Sequence, residues 1–198
     1  MTRLCRLAAS VLLIVLSTSL IRAQDLSRYR DFQFGTNLGT VAARAGMAPD
    51  EAKTLYRRPA LIQELWWKRH FATPSRGIDP VREVVFSFCD GALFRMVVNY
   101  DRNRTEGLTD EEMIESISAR YGIAVRPARV IVMFSSSQVY NDHESVIARW
   151  EDSEYSYNLY RSANQPTFGM LIFSKRLDAL AQAAVTKAKR LRNLQEIR

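Results

Sequence analysis

Two cysteines and two histidines among 198 residues leave little from which a reaction centre could be built. Cys5 lies ahead of an apolar N-terminal run, where it cannot be a lipid-bearing cysteine after export. If that run is removed, Cys89 is left alone and no internal disulfide can form. A body of about 150 residues must then hold itself together by burial, which at that size it can do. Cys89 has no neighbouring histidine or basic pair to lower its pKa, so it reads as a half-buried turn residue rather than a reactive or dimerising thiol. His70 follows Trp66-Trp67-Lys68-Arg69, and His143 stands in Asn141-Asp142-His143-Glu144. A zinc site needs three or four ligands, and acidic loop neighbours alone make a poor cage. Ser135-Ser136-Ser137 lacks the Gly-x-Ser-x-Gly frame of a nucleophile elbow, and the chain has no Gly-rich phosphate loop. Glu111-Glu112 and Glu151-Asp152 are explained by a helix start and a turn. No set of nucleophile, base and oxyanion donors emerges. The expectation is a non-catalytic protein without metal or cofactor.

Long hydrophobic runs are scarce too. The one extended stretch, Leu7–Ile21, is shorter than the roughly 20 residues of a spanning helix. It follows a basic start, Met1–Arg6, and precedes Arg22-Ala23-Gln24, the pattern of a secretory signal cut after Ala23. An uncleaved anchor is the lesser alternative. The expected address is periplasmic or extracellular, with no stable membrane insertion after cleavage.

The precursor carries 28 Lys+Arg against 21 Asp+Glu. Three of the arginines precede Gln24, and seven cations with two acids follow Ser174, so the body between them is close to neutral. The basic balance belongs to the two ends, and a nucleic-acid partner is not expected.

What the chain does have is a dense β pattern around Arg82–Asp101. Val84, Phe86 and Phe88 alternate with Val85, Ser87 and Cys89, and Phe94, Met96, Val98 and Tyr100 alternate with Arg95, Val97 and Asn99. Asp90-Gly91 marks the turn of a hairpin. Parity favours a three-residue loop, Cys89-Asp90-Gly91. It pairs Phe88 with Ala92, Phe86 with Phe94 and Val84 with Met96, and makes one face wholly apolar.

Ahead of the hairpin, Gln24–Asp31 reads as a polar lead-in and Phe32-Gln33-Phe34-Gly35 as a short edge-like piece. A helix from Asn37 to Ala45 is stopped by Gly46. Pro49-Asp50-Glu51 opens a second short helix through Tyr56, and Ala60–Arg69 reads as a strand. After the hairpin, Arg102–Gly107 is an exposed loop. Thr109-Asp110-Glu111-Glu112 is a capping box whose helix buries Met113, Ile114, Ile117 and Tyr121 and ends at Gly122. Val130–Phe134 reads as a central strand, followed by strands at Val146–Trp150, Tyr155–Arg161 and Phe168–Ser174. From Lys175 a helix places Leu177, Leu180, Ala184, Ala188 and Leu191 on one side, a stripe too rich in alanine to favour membrane binding.

Ala43-Arg44-Ala45-Gly46-Met47-Ala48 recurs as Ala119-Arg120-Tyr121-Gly122-Ile123-Ala124, each closing a helix ahead of a group of strands. The prediction is an α+β fold: an antiparallel sheet of about six to seven strands from two helix-then-meander units, 32–101 and 109–174, with helices on one face. Residues 1–23 would be the signal, 24–198 one domain, and 175–198 its C-terminal helix.

Phe34-Gly35, Leu38 and Val41 on a short helix closing at Gly46, and the strands that follow, resemble the small repeat of β-lactamase inhibitor protein and of the small outer-membrane assembly lipoproteins. The resemblance covers Phe32–Arg69, and Thr109–Ser174 by element order. It implies an exported helix-plus-meander unit that binds other proteins across its open sheet face. The chain departs from the lipoproteins in having no cysteine after the signal, and from the inhibitor in lacking its paired disulfide cysteines. No binding residue carries over.

Aromatic residues are the remaining lead. Trp66, Trp67, Trp150, Tyr155, Tyr157 and Tyr160 fall on predicted strands, where they serve either cross-strand packing or a contact surface. Arg57, Arg58, Lys68 and Arg69 lie near the tryptophans, as rim charges or as solvated ones. The candidate binding set is Trp66, Trp67, Arg69, Trp150, Tyr155 and Tyr157. The expected function is a protein-interaction module of the cell envelope. A small-ligand or glycan-binding domain comes second, and a hydrolase or metal site using His143 and Glu144 third.

Overall fold

A computed structural model describes residues 25–69, 80–127, 131–132, 144–161 and 167–196. Its centre is the expected hairpin, strands β5 (Val81–Cys89) and β6 (Ala92–Tyr100). The loop, however, has two residues and not three. Cys89 pairs with Ala92, and Asp90 and Gly91 both have positive φ, 48° and 81°, as a type I′ turn requires. The apolar face is restored by a bulge: Phe88 pairs with Leu93, but Ser87 pairs with Arg95, which leaves Phe94 as the extra residue. Phe86 therefore faces Met96 and Val84 faces Val98. Phe94 is turned to the opposite side of the sheet, against Ile62, Ala181 and Val185. A long-range pair selects this turn. The Asp90 carboxylate accepts from the Leu61 N–H at 2.8 Å, and the Asp90 N–H donates to the Leu61 carbonyl at 2.8 Å.

The main sheet has eight antiparallel strands in the order β3-β4-β5-β6-β10-β9-β8-β7. In chain order these are β3 (Lys53–Tyr56), β4 (Ile62–Lys68), β5, β6, β7 (Ile131–Val132), β8 (Glu144–Glu151), β9 (Tyr155–Arg161) and β10 (Phe168–Ser174). The strand beyond the expected count is β3. Where a helix through Tyr56 is predicted, Pro49–Glu51 makes a single 3-10 turn and the chain then pairs with β4. β7 takes the outermost position instead of a central one. The sheet is thus one layout used twice: a helix and then four strands, the two sets meeting where the fourth strands, β6 and β10, pair. The lead-in and the edge-like piece form a separate ribbon, β1 (Arg28–Tyr29) with β2 (Phe32–Gln33).

Helix α1 (Leu38–Ala45) begins where Asn37 accepts from the Thr40 N–H at 2.9 Å and ends on Gly46 at φ 68°. It is laced to the hairpin by Gly35 N–H to the Leu93 carbonyl, Leu93 N–H to the Thr36 carbonyl and Leu38 N–H to the Gly91 carbonyl. A one-turn helix α2 (Arg102–Thr105), capped by Asp101, replaces the exposed loop and buries Thr105. Helix α3 (Asp110–Tyr121) has the predicted capping box and buries Met113, Ile117 and Tyr121, with Ile114 partly buried. The β1–β2 ribbon, α1 and α3 together roof one face of the sheet. Their residues join Leu65, Phe86, Met96, Trp150, Tyr157 and Ile172 in the main core.

The capping box gives a direct test of α3. Its Thr109 hydroxyl accepts from the Glu112 N–H at 3.2 Å, and Glu112 Oε2 accepts from the Thr109 N–H at 2.8 Å. Hydrogen bonds from the Thr109 backbone and then its hydroxyl hold the Glu112 carboxyl below the ordinary range. A carboxylate lowered in the fold contributes stability above its unfolded pKa and loses it as pH falls through the folded value. Thr109→Ala is expected to cost about 1 kcal/mol in urea denaturation at neutral pH. The gap to wild type should narrow once the pH drops below the usual glutamate pKa.

Helix α4 (Lys175–Glu196) runs across the other face of the sheet. It continues directly from β10, with Lys175 N–H donating to the Glu154 carbonyl and the Lys175 ammonium 2.9 Å from Glu151. Among the described residues it buries Ala181, Val185 and Ala188. Leu180 and Leu191, predicted to lie on that stripe, point to solvent at 56% and 47% exposure. A hundred degrees per residue sets Leu180 and Leu191 on one line and Ala181, Val185 and Ala188 on another.

Candidate interaction surface

The face of the sheet away from α1 and α3 is crossed by three rows of side chains. The strand registers build these rows, because each pair brings one residue of the row beside the next. The first runs Lys68, Glu83, Asn99, Gly169, Tyr160 over β4, β5, β6, β10 and β9. The Lys68 ammonium lies 3.4 Å from the Glu83 carboxylate. The Asn99 amide donates to Glu83 at 3.1 Å, and the Tyr160 hydroxyl donates to the Asn99 oxygen at 3.2 Å. Gly169 has no side chain, and the Tyr160 ring fills the space above it.

The second row is Trp66, Val85, Val97, Leu171, Asn158, Arg149. Its middle is a small apolar cluster of Val85, Val97 and Leu171 with Tyr160, against which Trp66 and Phe173 pack. Its far end is polar: Arg149 Nε donates to the Asn158 oxygen at 2.7 Å, and the Asn158 amide donates to Ser156 at 3.0 Å. The third row is Glu64, Ser87, Arg95, Phe173, Ser156, Glu151. Trp66 Nε1 donates to Glu64 at 3.3 Å, and Arg95 Nε donates to Asp178 of α4 at 2.8 Å. Glu64, Ser87, Arg95, Ser156 and Asn158 are all buried.

The carboxylates in these rows are engaged by fixed donors, as burial demands. Arg95 holds Asp178, Lys68 and Asn99 hold Glu83, and Trp66 and Ser87 hold Glu64. Such an arrangement pins neighbouring strands in register and presents a patterned surface at its margins. The half-exposed members are Trp66, Phe173, Asn99 and Arg149, with Lys68 exposed beside them. The Lys68 ammonium stands 6.0 Å from the centre of the Trp66 ring, within reach of a weak cation–π contact.

The candidate aromatic set divides between the two faces. Trp66 is on the row-bearing face. Trp67 lies on the roofed face and is partly buried against the main core. Trp150 and Tyr157 are interior and cannot be contact residues, since they are 1% and 0% exposed. The Trp150 indole donates to the Gly122 carbonyl at 2.9 Å under α3, and the Tyr157 hydroxyl donates to the Arg28 carbonyl at 2.7 Å. Tyr157 also packs against Tyr121 with ring centres 4.9 Å apart. Burial raises both phenols, Tyr121 to about 12, and keeps them neutral. Tyr155 stacks on Phe34 at 5.4 Å on the roofed side. Arg69 is half-buried at the end of β4, its N–H bonded to the Arg82 carbonyl at 2.9 Å.

Cys89 is half-buried beside the hairpin turn, where burial and then the charge of Asp90 raise its thiol. His70, Asp142 and His143 lie outside the described residues, and of Glu144 the backbone alone is described, at the start of β8. Among the described residues no group of three His, Cys, Asp or Glu side chains could hold a metal ion. The buried row members Glu64, Glu83, Arg95 and Asn158, and half-buried Asp178 on α4, are absent from the sequence-derived set. The visible trace of Glu64 is its position between Ile62 and Trp66 on one side of its strand.

No family model, curated protein or solved structure matches this chain.

Proposed function

We propose that the protein is an exported, non-catalytic module of the cell envelope that binds a protein partner through the row-bearing face of its sheet. The observation that carries this reading is Trp66. It is a half-exposed tryptophan towards one edge of the sheet, on β4 beyond the last residue that β3 pairs with, next to Lys68 and bonded through its indole to a buried carboxylate. Large, pre-oriented aromatic residues with charged neighbours supply most of the binding energy at protein interfaces. The layout of a helix followed by four strands, used twice, supports it further, because the likeness to β-lactamase inhibitor protein and the outer-membrane assembly lipoproteins implies recognition across a sheet face, here the part that α4 does not cover. The N-terminal pattern of basic start, apolar run and Ala23 supports the export address.

The test places a benzophenone-bearing side chain at position 66 and, as a control, at Glu115 on the exposed side of α3. Irradiation in the native host should give a discrete protein adduct from position 66 and none from position 115. Equal adducts from both positions, or none from position 66, would refute the proposal.

A further inference from the structure

An exposed flank of α4 carries a further feature. Leu180 and Leu191 are large apolar residues left exposed, eleven positions apart and therefore on the same line of the helix, about 16 Å from one another. Arg176 and Lys187 fall on that line as well, and both are exposed. Farther along, Lys189, Arg190 and Arg192 are exposed too. No acidic residue lies between Asp178 and Glu196, and Asp178 is already taken by Arg95. Most of the helix thus presents positive charge with nothing on it to offset that charge, on a body that is close to neutral.

The alanine-rich stripe that disfavoured membrane binding is the one the sheet covers, and we infer that the separate exposed line of Leu180 and Leu191 is a docking surface for an anionic lipid bilayer. A helix lying on a membrane needs apolar residues in line to enter the acyl boundary and cations beside them to meet the headgroups. Leu180 and Leu191 supply the first, and Arg176, Lys187 and Arg190 the second. A nucleic acid or an acidic protein would use the cations and leave the leucines without a role. The helix rests on the surface and does not cross, because no helix among the described residues is long and apolar enough to span a membrane. The stripe belongs to α4, which lies on the same side of the sheet as the rows, so substitutions in α4 and at Trp66 test the two bindings separately.

Sedimentation with phosphatidylcholine vesicles, with and without phosphatidylglycerol, tests the inference on the full protein purified from its host. Wild type should bind the anionic vesicles, release them as salt is raised, and ignore the neutral ones. Loss of a single cation should weaken binding about fivefold, so Lys187→Gln with Arg190→Gln should weaken it roughly 25-fold. Leu180→Ser with Leu191→Ser should weaken it at least about tenfold. These four side chains are exposed, so the variants should melt with wild type. Absence of vesicle binding, or binding unchanged in both variant pairs, overturns the inference, the latter assigning it to another part of the chain. It is equally overturned if the leucine pair instead breaks a dimer seen by light scattering. Equal binding to polyglutamate or DNA that ignores the leucine changes does the same.

Discussion

Asp178→Ala is expected to cost about 3 kcal/mol of stability and to free α4 from the sheet. Arg95 is 5% exposed, and its guanidinium carries a positive charge. Removing the carboxylate leaves that charge in the interior with no counter-charge, a change that costs about 3–5 kcal/mol in buried pairs. The low end of the range applies because the molecule has a second way out. α4 holds to the sheet by small residues, Ala181, Val185 and Ala188, so lifting it and letting Arg95 meet water limits the loss. Urea denaturation should show the drop in midpoint, and limited trypsin digestion should cut first at Lys187 or Lys189. Removing both charges should behave differently: Arg95→Met with Asp178→Leu fills the same space without a charge to desolvate and should stay within about 1.5 kcal/mol of wild type. If Asp178→Ala loses under about 1 kcal/mol, the pair is not what fastens the helix.

That pair also shows where reading the chain alone stops. Arg95 and Asp178 are 83 residues apart, and nothing local in either marks the other as its partner. The elements themselves were largely legible, because their determinants are local. Thr109 and Glu112 announce α3, Gly46 closes α1, alternation places β5 and β6, apolar and aromatic content places β4, and turn residues bound β9 and β10. The errors arise where a distant contact decides. Asp90 makes a two-residue turn because Leu61 bonds it on both sides, and the face it would have spoiled is repaired by the bulge at Phe94. Lys53–Tyr56 extends because β4 offers an edge to pair with. In α4 the alanine-rich pattern allows two stripes, and only the sheet chooses the one through Ala181 and Val185. Of the candidate contact residues, the strands of Trp150 and Tyr157 were located but their side was not. Both lie under α3 and the β1–β2 ribbon, and Trp66 is left as the tryptophan on the row-bearing face.

Gly169→Ala tests whether the rows on that face are rigid. A methyl group added at Gly169 would sit 2.2 Å from Cζ of Tyr160 and 2.3 Å from its oxygen, far inside contact distance. The ring cannot step aside cheaply. It is 4% exposed, it covers Val85, Val97 and Leu171, and its hydroxyl is bonded to Asn99. Displacing it should cost about 2–3 kcal/mol, from overpacking together with a broken hydrogen bond. The backbone at Gly169 does not itself require glycine, because its φ lies outside the left-handed range. Alanine there would even restrict the unfolded chain, a gain of about 0.4–1 kcal/mol where no clash opposes it. The sign of the substitution should therefore reverse with the ring removed: Gly169→Ala destabilises wild type but is neutral or stabilising on a Tyr160→Ala background, a coupling of about 2 kcal/mol or more between neighbours on adjacent strands. A loss of the same size on both backgrounds would mean that the tyrosine is not what the glycine makes room for, and that the row from Lys68 to Tyr160 is not the rigid platform on which Trp66 is presented.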